Sequence, residues 1–214
     1  MATRAYGQYC GLARALELVG ERWALLVIRD LLVGPKRFGE LQRGLPRIPS
    51  NILTARLKEL EDAGLVQRRA QSRDSGGGVV YELTSAGREL EATAIALGRW
   101  GAKRLGEPRP EEIVTEDSMA IALRSTFRPE NAGNEDIAFE LHVGEVVVNA
   151  RVSGGSVSVG KGKLAAPDLV IESGPEIGAL MARELTPKEA LKSGAVRVRG
   201  KRALLDRFAE LFVI

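Results

Sequence analysis

One cysteine and one histidine in 214 residues remove whole classes of chemistry before any motif is read. Cys10 alone excludes an internal disulfide framework. Cys10 and His142 together fall short of the roughly four Cys and His ligands that structural zinc sites use. A Ser-His-Asp arrangement would rest on His142, which sits inside an alternating strand pattern. No apolar run approaches the roughly 18 residues of a spanning helix, so no membrane span is expected. The opening MATRAYGQYCG lacks the apolar core of a signal peptide, and a cytoplasmic location is the expectation. Neither a P-loop nor a GxGxxG after a strand occurs. These absences predict no catalytic set, no metal site and no cofactor: not an enzyme.

What is present is an uneven charge. Residues 1–110 carry 18 Lys and Arg against 12 Asp and Glu, a balance of +6. Residues 111–214 carry 13 against 16, a balance of −3. Such asymmetry points to a polyanion as the partner of the first half alone. GEPRPEEI (Gly106 to Ile113) separates the halves, because proline disfavours helix in the residue before it.

The first half is helix-rich. Gly11 to Val19 reads as a short helix with Leu12, Ala15, Leu16 and Val19 on one side. ERWALLVIRDLL (Glu21 to Leu32) is apolar nearly all round, as for a helix packed on several sides, with Trp23 expected in the core. Lys36 to Arg43 is a short amphipathic helix. After Pro46 and Pro49 comes IPSNILTARLKELEDAGLV (Ile48 to Val66). Here Leu53, Leu57 and Leu60 form a buried stripe, Ser50 is the expected cap, and Gly64 the expected left-handed stop. Two helices joined by a proline-marked turn form a helix-turn-helix pattern. Leu65 to Ala70 and Val79 to Thr84 then read as a hairpin, a wing. Ser85 to Leu105 reads as one long helix whose stripe of Leu90, Ala94, Leu97 and Gly101, beside Trp100, calls for a partner helix from a second copy.

The runs GERW, PKRFGEL, LTARLKELEDAGLV and YELTSAG, in this order, resemble the HxlR-type winged helix-turn-helix regulators of bacteria over about residues 9–100. The resemblance implies a homodimeric transcription regulator that binds double-stranded DNA. Base edges would be read from the first turns of the second helix by Ser50, Asn51, Thr54 and Arg56, with Lys58 beside them. Arg68, Arg69 and Arg73 in or beside the wing, and Lys36 and Arg37 before the helix, are candidate phosphate contacts. Polar helix faces and exposed arginines are often only solvated, and it is their order along the chain that gives these residues weight. Cys10 by itself reads as a small buried hydrophobe. The resemblance adds it as a redox candidate, since some members respond to electrophiles or oxidants.

The second half alternates strands and helices. A helix is expected over Asp117 to Phe127. DIAFELHV (Asp136 to Val143), EVVVNARV and SVSVGKGK follow as an antiparallel meander turned at Gly144-Glu145 and Gly154-Gly155. DLVIES, two helical runs (Glu176 to Glu184, Pro187 to Lys192), AVRVRG and a last helix (Lys201 to Phe212) complete it. By alternation His142 faces away from Phe139 and Leu141, at the surface or under a helix. The order, with APDLVIESGPEIGALM and GAVRVRGKRALLDRFAELF, resembles the sterol-carrier-protein-2-like (SCP2-like) domain. That implies an apolar tunnel for a lipid or other hydrophobic small molecule. Candidate lining residues are Met119, Leu123, Phe127, Phe139, Ile177, Leu180, Met181, Leu204, Phe208 and Phe212, each of which an ordinary core would also bury.

The expected fold class is thus α+β. Residues 1–107 form a winged helix-turn-helix domain for DNA binding and dimerisation. Residues 112–214 form an SCP2-like α/β domain with an antiparallel-rich sheet. The expected function is a homodimeric regulator reading a palindromic operator, modulated by a hydrophobic ligand. The alternatives are a C-terminal domain that serves only for dimerisation or partner docking, and a lipid-carrier or acyl-transfer accessory protein.

Overall fold

The structure, a computed structural model, describes residues 5–72, 77–106, 109 and 111–214. Arg73, and Glu107, Pro108 and Pro110 of the expected boundary, lie outside the described residues. The chain divides into two compact units, Met1–Ala94 and Ile95–Ile214.

The first unit begins with α1 (Gly11–Val19), α2 (Ala24–Val33), α3 (Phe38–Gly44) and α4 (Ser50–Asp62). The hairpin β1 (Val66–Ala70) and β2 (Val79–Leu83) follows, then α5 (Ser85–Arg88). Val27, Ile28 and Leu31 of α2 are at most 1% exposed and form the centre of the core. Leu41 of α3 and the Leu53, Leu57 and Leu60 stripe of α4 are buried to the same degree. α2 begins three residues later than expected, because Trp23 adopts a left-handed φ of 81°. Trp23 is therefore half-buried at a turn, with the Arg22 guanidinium 5.1 Å from its ring centroid, and is not a core aromatic.

Gly64 ends α4 as its sequence predicts. With φ at 71°, it lets Gly64 N–H reach Glu61 O and Leu65 N–H reach Leu60 O, both at 2.9 Å. These two bonds satisfy carbonyls that a helix end leaves open. Thr84 then links the wing to this helix end, donating to Gly64 O at 2.6 Å. The Thr84 hydroxyl also accepts from Gly87 N–H, capping α5. A Cβ on Gly87 would lie 2.1 Å from Leu65 O, which explains the glycine in SAGREL. The helix expected over 85–105 is interrupted after Arg88, and α6 (Glu91–Ala102) is a separate element.

The second unit contains α7 (Glu116–Thr126), a 3-10 turn at Pro129–Asn131, and strands β3 (Asp136–Val143), β4 (Val146–Ser153), β5 (Ser156–Lys161) and β6 (Leu169–Ser173). α8 (Ile177–Met181), α9 (Pro187–Ser193), β7 (Val196–Gly200) and α10 (Leu204–Leu211) complete it. Capping boxes at Thr115 and Thr186 start α7 and α9. Strand order is β5-β4-β3-β6-β7. The meander is antiparallel as expected, but β6 runs parallel to β3, with Leu141 opposite Ile171. Residues 162–168 must therefore cross from the β5 edge to the far side of β3.

One face of this sheet carries the core. Phe127, Phe139, Phe208 and Phe212 meet there, with ring centroids 4.8 to 6.0 Å apart. The chain end closes the cluster, since Val213 N–H donates to Thr126 O and Ile214 N–H to Met181 O.

On the opposite face Glu140 is 4% exposed. Its carboxylate accepts from Leu164 N–H at 2.6 Å and lies 2.7 Å from His142 Nε2. His142 is thus off the core face, as alternation requires, and it pairs with the carboxylate that holds the crossover. Asp168 pins the other end, accepting from Ala138 N–H at 3.0 Å and from Lys201 at 2.7 Å. Burial alone would push the Glu140 carboxyl up. The hydrogen bonds from His142 and Leu164 outweigh it and hold the group below the usual carboxylate range.

Two measurements check this packing. Phe212→Ala should destabilise the protein by about 3–5 kcal/mol in chemical denaturation, since it empties a ring-to-ring contact. A depressed folded pKa stabilises above the unfolded value, and that stability is lost as pH falls through the folded one. Acidification should therefore lower the denaturation midpoint less steeply in Glu140→Gln than in the unaltered protein.

Candidate nucleic-acid interface

The turn between α3 and α4 is built on two buried side chains, Leu45 and Ile48, each directly followed by a proline. Pro49 occupies the cap position of α4, with φ −63° and ψ 143°, and Ser50 is the first helical residue. The expected Ser50 cap is thereby corrected: no side chain caps this helix. Its first-turn N–H groups carry the partial positive charge of a helix N-terminus, a setting that suits an anion.

The leucine stripe points inward, so Ser50, Asn51, Thr54 and Lys58 are exposed together on the opposite face. Thr54 donates its hydroxyl to Ser50 O at 2.9 Å, and Lys58 pairs with Asp62 at 3.0 Å. Arg56 sits apart from them. Its side chain is 13% exposed and is held between Glu59 and Glu21, the latter 3.6 Å away.

The wing stands beside this face. Arg68 pairs with Glu61 of α4 at 2.9 Å, and Arg69 with Glu82 at 3.0 Å. Gln67 and then Arg69 donate to the Glu82 carboxylate and hold it below its ordinary range. A cleft of about 340 Å³ between helix and wing is lined by Thr54, Lys58, Glu61, Arg68 and Tyr81 among others. Arg37 precedes α3 and reaches the wing, donating to Gly77 O at 2.7 Å and Gln71 Oε1 at 3.2 Å. A second cleft of about 510 Å³ lies there, lined in part by Arg37, Glu40, Arg43 and Gln71.

Lys36 departs from its expected place as a surface phosphate clamp. It is 5% exposed, because Lys36 and Tyr81 exchange both backbone hydrogen bonds, at 2.9 and 2.7 Å, and so draw this residue against the wing. Sequence reading missed Arg43, Gln71 and Tyr81. Arg43 was signalled by its position in the last turn of α3, but Gln71 and Tyr81 acquire their places only through the hairpin.

Cys10 is exposed, where a buried thiol was expected. It precedes α1, and the N–H groups of Ala13 and then Leu12 hold its thiol below the usual cysteine value. Tyr6, Tyr9, Leu12 and Leu16 are exposed around it, at 41% or more. The ten candidate lining residues of the second unit come together. Nine belong to one buried cluster and Leu204 packs against it. Among the described residues no group of His, Cys, Asp and Glu could hold a metal ion.

Residues 18–108 match the family model described as HxlR-like helix-turn-helix. The HTH-type transcriptional regulator YodB of Bacillus subtilis is 38% identical over 94 residues, which cover 44% of this chain and 82% of YodB. The chain belongs to the HxlR-like helix-turn-helix family. Among HxlR-like relatives, an uncharacterised HTH-type transcriptional regulator of Mycobacterium tuberculosis is 48% identical over 98 residues. That match covers 46% of this chain and 60% of the relative, so the chain spans less than two thirds of the mycobacterial protein's length. The solved structure of reduced YodB from B. subtilis is 33% identical, covering 48% of this chain and all of that one, with a TM-score of 0.40.

The setting of Cys10 can be checked in the HxlR-like chain directly. Its thiolate absorbance should titrate with a midpoint below that of a free cysteine. A midpoint at or above the free value would show that the Ala13 and Leu12 amides leave the sulfur untouched.

Proposed function

We propose that the protein is a homodimeric transcription regulator that inserts α4 into the major groove of double-stranded DNA. The outward face of α4 carries this reading. Ser50, Asn51 and Thr54 sit on its first turns, and its amide end is free of any side-chain cap. Asn51 suits a bidentate contact with adenine, and Thr54 a contact with a thymine methyl. Arg37, Lys58, Arg68 and Arg69 supply positive charge around that face. Arg56 acts as a brace between α4 and the turn after α1, and Lys36 through its backbone.

Two apolar faces support dimerisation: Tyr6, Tyr9, Leu12 and Leu16 at the start of the chain, and Leu97 and Trp100 on α6, all exposed. A two-fold dimer would present two α4 copies to a palindromic operator, roughly one helical turn apart.

The second unit follows the SCP2-like pattern, and its Met119, Met181 and Leu180 region would take a hydrophobic small molecule. Such a ligand regulates only if it favours one dimer geometry over another. The ring-to-ring packing of Phe127, Phe139, Phe208 and Phe212 favours a second reading, in which this unit is a docking or dimerisation module without a ligand. Native mass spectrometry of the purified protein separates the two, a copurified lipid supporting the first. The structure of quinone-bound YodB motivates a redox role for Cys10. With one cysteine per chain, that role needs an intersubunit disulfide or a small thiol. Unchanged quinone and peroxide responses in Cys10→Ser would end it.

The DNA reading is tested with a duplex selected by the protein from a randomised pool. Affinity should fall linearly with the logarithm of salt concentration, and Lys58→Ala should lower that slope by about one. Asn51→Ala should reduce preference at one base pair by about 1–3 kcal/mol. An equal loss on every sequence would contradict its base-reading role.

A further inference from the structure

Three of the basic residues beside the outward face of α4 share a feature that the DNA reading alone does not require. Lys58, Arg68 and Arg69, though not Arg37, each face a carboxylate of the same unit: Lys58 with Asp62, Arg68 with Glu61, Arg69 with Glu82. In the two wing pairs the partners are unequally placed. Arg68 and Arg69 side chains are 61% and 49% exposed, whereas Glu61 and Glu82 are 25% and 14% exposed. Glu82 is further fixed by the Gln67 amide at 2.9 Å. Glu82 is thus anchored by a second partner and Glu61 by its greater burial, while the guanidinium groups are the more exposed members of both pairs. Ion pairs this exposed contribute little to stability, so folding alone gives weak reason for pairing each arginine.

We propose that Glu61 and Glu82 are specificity-determining residues, fixed competitors that hold Arg68 and Arg69 until a phosphate in the matched register displaces them. The inference rests on the DNA-binding reading above. A DNA backbone at arbitrary register meets arginines whose charge is already balanced and gains little from them. A matched site brings a phosphate into bidentate reach of a guanidinium, and the arginine exchanges one anion for another. Sequence-independent binding consists almost wholly of such phosphate contacts, so the carboxylates depress it most. The acids thereby widen the gap between selected and random DNA without touching a base.

The test uses the full chain with two probes, the duplex selected from a randomised pool and a mixed-sequence duplex of equal length. Affinity for each is measured against potassium chloride concentration. Glu61→Gln should tighten binding to the mixed-sequence duplex by about two- to fivefold and raise its salt slope by about one, while the selected duplex gains less. In an Arg68→Ala background the same change should have no effect, which separates release of Arg68 from a general loss of negative charge. Glu82→Gln should behave likewise, with Arg69→Ala as its control. Unchanged binding to the mixed-sequence duplex, or an equal gain when Arg68 is absent, overturns the proposal. If the unaltered protein fails to bind the selected duplex, the DNA reading falls, and this inference with it.

Discussion

Leu53, Leu57 and Leu60 decide how the first unit can meet anything else. A helix has one face to bury, and these three side chains, each at most 1% exposed, commit α4 to a single rotation about its axis. Ser50, Asn51, Thr54 and Lys58 are outward for that reason alone. The ends of the helix are set with equal economy. Pro49 opens it with no side-chain cap, and Gly64 closes it in the left-handed conformation, where Thr84 ties the helix end to the wing. The wing is thereby hydrogen-bonded directly to the end of the helix. A shift of the stripe by one position would turn Asn51 and Thr54 away from the surface they share.

The second unit depends on a different constraint. Placing β6 beside β3 in parallel obliges the chain to cross the back of the sheet, and a crossing segment carries backbone groups that need partners. Glu140 accepts Leu164 N–H within the segment, and at its end Asp168 donates its N–H to Ala138 O while its carboxylate accepts Ala138 N–H in return. The front of the sheet is occupied by four phenylalanines and the returning chain end. Any hydrophobic ligand lodged there would have to part rings that already touch.

Much of this was legible in the residues. The leucine stripe, the glycine stop at 64, the proline-marked turn and the period-two meander each follow from local spacing, and each has its expected place. What was not legible came from contacts distant in sequence. Lys36 looks like a surface cation until Tyr81 pairs with its backbone. Arg56 looks like a base reader until Glu21 and Glu59 are brought beside it. The direction of β6 is invisible to alternation, which specifies a face and not a neighbour. The break after Arg88 was hidden because the apolar stripe runs on through it. Cys10 was placed by general preference for burial, whereas its position ahead of α1 keeps it exposed.

In the proposed complex the outward face of α4 and the wing beside it, and not the second unit, engage DNA. Amide hydrogen exchange on the full chain, with and without the selected duplex, tests it most directly. Exchange should slow across residues 50–58 and 66–70, with residues 136–200 unchanged. Unaltered exchange in 50–58, or protection confined to 136–200, would contradict it.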